Sequence, residues 1–185
     1  MIRVISGRAK GRKLKRVPGD TTRPIMDRVK ENLFNILGAA VVGSRWLDLF
    51  AGTGQVGIEA LSRGAVEVVF VDAMWPAIRT VKDNLRHTGL AAEAQVVQMD
   101  AFKYLAQAAV RPFDVVYVAP PQYLGMWGQA LRALDERPSA LLTPTGMVIV
   151  QIDPKEYEAL PLQNLVLTDQ RQYGNTQLCF YEQAS

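Results

Sequence analysis

Two residue types on which much enzyme chemistry depends are nearly missing from this chain. It has one cysteine, Cys179, and one histidine, His87. A lone cysteine cannot close an internal disulfide, and with one histidine it leaves no ligand set for a Cys/His metal site, so no metal is expected. Cys179 stands between Leu178 and Phe180 in a late apolar segment. It is therefore expected to be a buried core thiol, which counts against a cysteine-nucleophile mechanism. His87 follows a helical segment and is expected at the surface or as a cap. Long apolar runs are also absent: nothing approaches the ~18 residues of a membrane-spanning helix. The basic N-terminus is not followed by the apolar stretch of a secretory signal. The expectation is a soluble, cytoplasmic monomer with no membrane partner.

What is present is a core and a charge asymmetry. Hydrophobic residues make up 49% of 185, enough for one domain with a small appendage. The first 30 residues carry ten basic residues against two acidic ones, a net +8, while the remaining 155 carry 11 against 16, a net −5. So sharp a split points to a polyanion at one end. The candidate contacts are Arg3, Arg8, Lys10, Arg12, Lys13, Arg23 and Arg28; for Arg28 an interdomain or helix-start ion pair is the competing reading. Ile2 and Val4 fall on one face of an alternating pattern, Gly7 and Gly11 offer turns, and Leu14 and Val17 are apolar. This spacing predicts a short basic hairpin over residues 1–24, ahead of a main domain over 25–185.

Helical spacing runs from Asp27 to Leu37, then gives way to alternation. Strands are predicted at Trp46–Phe50, Glu67–Val71, Gln95–Gln98, Asp114–Val118 and Gly146–Ile152. Helices are predicted between them at Val56–Arg63, Pro76–Arg86, Phe102–Ala109 and Met126–Asp135. Two further strands, Asn164–Thr168 and Thr176–Glu182, have no helix between them and should form an antiparallel edge hairpin. Alternating strands and helices imply a parallel sheet covered on both faces.

In such a sheet ligands sit beyond the carboxyl ends of the strands. Asp48 lies within the first of these strands, Asp72 ends the second, and Asp100 follows the third. Between the first two lies Phe50-Ala-Gly52-Thr53-Gly54-Gln-Val-Gly57. The G-x-G-x-x-G spacing alone also fits a dinucleotide site. Two features favour S-adenosylmethionine. Negative charge at Asp48 suits an ammonium and a sulfonium and disfavours a pyrophosphate. After the third strand, Asp100 can accept from an adenine amine while Ala101 and Phe102 lie beside the ring. Asp72 is placed to bind ribose hydroxyls. Each aspartate taken singly also reads as a turn or helix cap. Trp75 reads equally as an adenine neighbour or as helix packing.

The basic opening Arg3-Val-Ile-Ser-Gly-Arg8, with Gly11-Arg-Lys-Leu14, Thr22-Arg23-Pro24, Asp27-Arg-Val-Lys-Glu-Asn-Leu-Phe34, Leu47-Asp-Leu-Phe-Ala-Gly-Thr-Gly54, Gly57-Ile-Glu-Ala-Leu-Ser-Arg-Gly64 and Tyr173-Gly-Asn-Thr176, resembles the RsmD-like bacterial 16S rRNA (guanine-N2)-methyltransferase family over nearly the whole chain. The resemblance implies an α/β, Rossmann-like class I fold of S-adenosylmethionine-dependent methyltransferases. Its sheet would be seven-stranded and mostly parallel, with a small N-terminal β-hairpin extension. It further implies methyl transfer to the exocyclic N2 of a guanine in ribosomal RNA, within a small-subunit particle. In that family an Asp/Asn-Pro-Pro-Tyr/Phe motif after the fourth strand accepts from the target amine and stacks on the flipped base. Here the segment is Ala119-Pro120-Pro121-Gln122-Tyr123. Ala119 offers no side-chain acceptor, and the aromatic residue comes one place late. Three readings stay open: the Ala119 and Pro120 carbonyls suffice with help from Gln122 or Tyr123, another atom or base is the target, or the protein binds without catalysing. Tyr123 and Trp127 read equally as base-pocket or core residues. Competing functions are a small-molecule or protein N-methyltransferase, a silent RNA-binding assembly factor, and a nicotinamide oxidoreductase.

Overall fold

The computed structural model describes residues 1–20, 24–108 and 110–185. The chain forms two compact units, Met1–Met99 and Asp100–Ser185. Its principal strands make one seven-stranded, mostly parallel sheet, the architecture that alternating strands and helices predict.

The first unit opens with a two-residue antiparallel ladder, β1 (Ile2–Arg3) against β2 (Lys13–Leu14). The expected hairpin is there, with Ile2, Val4 and Leu14 buried. Helix α1 (Asp27–Leu37) follows, and Val29, Leu33, Phe34 and Leu37 form its buried face. Strand β3 (Arg45–Leu49) leads into α2 (Gln55–Ser62), β4 (Glu67–Asp72), α3 (Trp75–Thr88) and β5 (Ala94–Gln98). Strands β3 and β4 pair in parallel, as do β4 and β5. Pro76 sits in the first turn of α3, where its missing N–H costs nothing, and Gly89 closes the helix in the left-handed region at φ 72°.

The second unit holds α4 (Ala101–Leu105), β6 (Phe113–Val118), α5 (Met126–Glu136), α6 (Pro138–Leu141), β7 (Leu142–Ile152), β8 (Leu165–Tyr173) and β9 (Thr176–Gln183). Strands β6 and β7 are parallel, while β9 runs antiparallel to both β7 and β8. The terminal hairpin is therefore at an edge, as its missing connecting helix predicts; within this unit the strand order is β6-β7-β9-β8, and within the first it is β5-β4-β3. Helix α4 stops at Leu105, short of the predicted Ala109, which lies outside the described residues.

Buried ions hold the hairpin to the first unit. Lys30 lies on the apolar face of α1 and is fully buried, so it is not one of the charges available to a polyanion. Its ammonium donates to the Arg3 carbonyl at 2.7 Å and to Gln55 Oε1 at 3.1 Å, and lies 3.5 Å from the Glu59 carboxylate. Burial pushes the Lys30 pKa down, and Glu59 opposes that shift. Glu59, also fully buried, accepts from the Ile5 and Ser6 N–H groups at 2.9 and 3.1 Å and from Arg63 at 2.8 Å. Gly7 then passes so close to α2 that a Cβ there would sit 1.9 Å from the Ser62 carbonyl oxygen. The adjacent Arg8 N–H donates to that same oxygen.

Removing one partner of a buried pair strands the other charge. Glu59→Ala is expected to lower the unfolding free energy by about 3–5 kcal/mol and to expose residues 2–16 to hydrogen exchange. The paired change Lys30→Met/Glu59→Leu should cost distinctly less. Denaturant titration of the three proteins checks this, and equal losses would show that the ion pair is incidental.

Candidate cofactor and substrate site

The glycine-rich turn joins β3 to α2, and side chains on three sides fix it. Asp72, at the end of β4, accepts from the Gly52 N–H at 3.0 Å with one carboxylate oxygen and from the Met74 N–H at 2.9 Å with the other. Asn84, buried in α3, donates to the Thr53 carbonyl at 2.9 Å. Gly57 donates to Asp48 at 3.1 Å. The glycines serve different ends. At Gly52, with φ 57°, an added Cβ would meet nothing within 4 Å, so the chain there borders open space. At Gly57 it would come within 2.4 Å of the Phe70 ring, so this glycine lets α2 lie close on β4. The dinucleotide-like spacing thus combines a turn open on one side at Gly52 with a packing contact at Gly57.

Phe50 has φ 64° and Tyr123 has φ 62°, and they are the only non-glycine residues with positive φ among those described. The left-handed region is costly for an aromatic residue, and such strain concentrates at functional sites. Phe50 opens the glycine-rich stretch, and Tyr123 reads from the sequence equally as a base-pocket or a core residue.

Asp48 departs from its expected state. It is buried, and burial is the main cause that raises its pKa to about 8; the nearby Asp72 carboxylate adds to this and the Gly57 hydrogen bond opposes it. Near neutral pH the carboxyl is therefore largely protonated, rather than the standing negative charge that the sequence suggests. A cationic group beside it would reverse this by favouring the ionised form.

In the second unit Asp100 caps α4, accepting from the Phe102 and Lys103 N–H groups at 2.9 and 3.0 Å. Asp72 and Asp100 thus make the turn and cap contacts that each aspartate taken singly suggests. Ala101 is buried and Phe102 is half-buried. After β6, Ala119 and Pro120 are half-buried, whereas Pro121, Gln122 and Tyr123 are exposed. The Ala119 and Pro120 carbonyls accept no hydrogen bond among the described residues. Tyr123 is anchored at both ends: its N–H donates to Glu156 at 2.7 Å and its hydroxyl to Asp153 at 2.6 Å. Asp153 and Glu156 are joined in a capping box. Neither was evident from the sequence, although D-P-x-E after β7 is a readable capping signal. Trp127 is buried and stacks on Tyr157 at 6.2 Å, so it is a core residue.

The basic candidates divide. Arg3 pairs with Asp27 at 2.9 Å and Arg8 with Glu93 at 3.2 Å. Lys10, Arg12, Lys13 and Arg28 are exposed and make no ion pair among the described residues, so the competing reading of Arg28 as an ion-pair partner is not seen among them. Arg23 lies outside the described residues. Cys179 is buried in β9, and burial raises its pKa. His87 is exposed in the last turn of α3. Among the described residues no helix is long and apolar enough to cross a membrane, and no cluster of three metal-ligating side chains forms.

The family model described as conserved hypothetical protein 95 matches residues 2–182. The chain belongs to that family. Ribosomal RNA small subunit methyltransferase D of Haemophilus influenzae is 33% identical over 183 residues, 98% of this chain and 93% of that one. YlbH of Bacillus subtilis, whose name assigns it only provisionally as an rRNA methyltransferase, is 41% identical over 183 residues, 98% of both chains. The solved structure of the Escherichia coli protein yhhF superposes with a TM-score of 0.86 at 31% identity, covering 98% of this chain and 97% of that one. At 17% identity, an RNA methyltransferase of Salinibacter ruber solved with S-adenosyl-L-homocysteine shares the fold, with a TM-score of 0.64. The fold is that of the S-adenosylmethionine-dependent methyltransferases.

The raised Asp48 pKa has a measurable signature. The unfolded chain releases this proton near the ordinary 3.8, whereas the folded protein keeps it until about pH 8. Between those values the folded state holds the extra proton, so the Asp48 contribution to stability falls as pH rises. The wild-type unfolding free energy minus that of Asp48→Asn should decline from about pH 4 to about pH 8 and then level off. A difference that stays flat across this range would mean an ionised Asp48.

Proposed function

We propose that the protein transfers a methyl group from S-adenosylmethionine to the exocyclic N2 of a guanine in small-subunit (16S) ribosomal RNA, within a small-subunit particle. The observation that carries the cofactor half of this reading is the turn at Gly52, held open by Asp72. Its backbone borders open space, and four residues earlier Asp48 is a buried carboxyl whose ionised form a cation would favour. Asp48, Phe50, Gly52, Thr53, Gly54 and Asp72 would hold the methionine and ribose portions, and Asp100, Ala101 and Phe102 the adenine. The names of the family's relatives support ribosomal RNA as the substrate, as do the exposed cations of the hairpin.

The cofactor supplies a methyl group already activated on a sulfonium. The protein's task is to present the amine lone pair in line with that carbon. The N2 lone pair is conjugated with the guanine ring. Acceptors at its two hydrogens favour a pyramidal nitrogen and so free the pair. The carbonyl oxygens of Ala119 and Pro120, which no other group occupies among the described residues, are suited to this. No strong base is needed, because the amine proton can leave after transfer. Tyr123, strained and anchored, offers a fixed ring for the flipped base, whose release from its stack costs a few kcal/mol.

Incubating the protein with labelled S-adenosylmethionine and undermethylated small subunits, then mapping the modified nucleotide by mass, tests the reading. Label on a guanine N2 is expected, and RNA without label would sink it in favour of a binding role. If the carbonyls do the accepting, Ala119→Asn changes kcat by less than about tenfold, the worth of one net hydrogen bond. A larger gain would mean that the site lacks an acceptor.

A further inference from the structure

The sequence places the polyanion contacts in the first 30 residues, but the structure carries the basic surface onto a helix. Along α3, Trp75, Arg79, Lys82 and Arg86 recur at intervals of four, three and four residues, which sets them on one face. All four are exposed. The helix contains one acidic residue, Asp83, and it is neutralised from both sides: Arg86 pairs with it, and Lys15 from the hairpin reaches it at 3.4 Å. Beneath this pair Asn84 fixes the junction. Its side-chain oxygen accepts from the Lys15 N–H at 2.8 Å, and its amide donates to the Lys15 carbonyl at 3.1 Å, as a neighbouring strand would. The segment leaving β2 is therefore seated against α3, which brings Lys15 to the basic face of the helix. Trp75 is 54% exposed at the head of the helix, with the Lys82 ammonium 5.9 Å from its ring centre.

We propose that this face of α3 is a second RNA-contact track, in which Arg79, Lys82 and Arg86 meet phosphates and Trp75 receives an unpaired base. The proposal rests on RNA being the substrate. Charge complementarity selects the occupant: Arg79 and Lys82 face solvent, Arg86 stays largely exposed while paired with Asp83, and Lys15 supplies a second cation to that carboxylate, the helix's only one. The exposed indole adds a feature that phosphate attraction alone does not need. It is a stacking face that accepts any base and combines with neighbouring cations in single-strand recognition.

Filter binding of the full chain to unmodified small-subunit ribosomal RNA, transcribed in vitro and followed over a range of salt, tests this. Arg79→Gln/Lys82→Gln/Arg86→Gln should weaken binding about tenfold or more at low salt. It should also reduce the slope of log affinity against log salt by about two, at roughly 0.7 per single-strand phosphate. Trp75→Ala should weaken binding about fivefold or more and leave the slope unchanged, because stacking releases no counterions. Thermal unfolding midpoints within a degree or two of wild type show that the variants fold. An affinity within twofold and an unchanged slope for the triple variant would overturn the proposal, as would absence of RNA binding by the wild type. Lys10→Gln/Arg12→Gln provides the hairpin comparison. Because binding is read apart from catalysis, an RNA that binds on this track yet gains no methyl group would remove the catalytic reading alone.

Discussion

The first unit is organised around the carboxylate of Glu59. It is fully buried, and it answers two backbone N–H groups of the hairpin and two cations, Lys30 and Arg63. A carboxylate so far from water survives only if nearly all its lone pairs are engaged. The same condition applies to Lys30, whose three protons face the Arg3 carbonyl, Gln55 and Glu59. The hairpin is thus an integral partner of this ion cluster. Its main ladder is only two residue pairs long and would not persist alone.

This constraint reaches the glycine-rich turn directly. Gln55, which accepts from Lys30, is the first residue of α2, next to Gly54. On the other flank Asn84 joins the Thr53 carbonyl to the backbone of Lys15. The basic hairpin and the glycine turn are consequently held by the same buried polar groups. A turn whose N–H groups, carbonyls and glycines are already committed loses little freedom when a ligand arrives.

Much of this was legible in the chain itself. Alternation between strand and helix periods identified the sheet, and the carboxylates near successive strand ends, with the glycines between them, marked out the turn that Asp48 and Asp72 hold. Other parts were not legible, for identifiable reasons. Lys30 was counted with the surface cations because composition ignores direction. Its spacing to Leu33, Phe34 and Leu37 places it on the apolar face of α1 and would have shown otherwise. Glu59 lies in a helix buried on every side, so no polar face betrays it. Arg79, Lys82 and Arg86 were hidden because α3 also carries Asp83, and only the fold shows that Lys15 and Arg86 neutralise it. The anchors of Tyr123 lie some thirty residues away, a separation that no local pattern spans.

Asp48 bears on which cofactor the turn suits. A pyrophosphate at the start of α2 would draw on the positive end of the helix, but it would also face a carboxyl that burial and Asp72 have already made reluctant to ionise. Protonation would remove the repulsion and leave at most one hydrogen bond from a neutral O–H, with no charge complementarity. A sulfonium and an ammonium act in the opposite sense. Each favours the ionised carboxylate, so their binding recovers the free energy that burial withholds from the charged form. On the proposed reading, the burial of this acid denies an anionic ligand charge complementarity and leaves a cationic one to favour its ionised form. The glycine spacing by itself fits both cofactor classes, and a buried acid four residues before Gly52 suits a cationic ligand better than an anionic one.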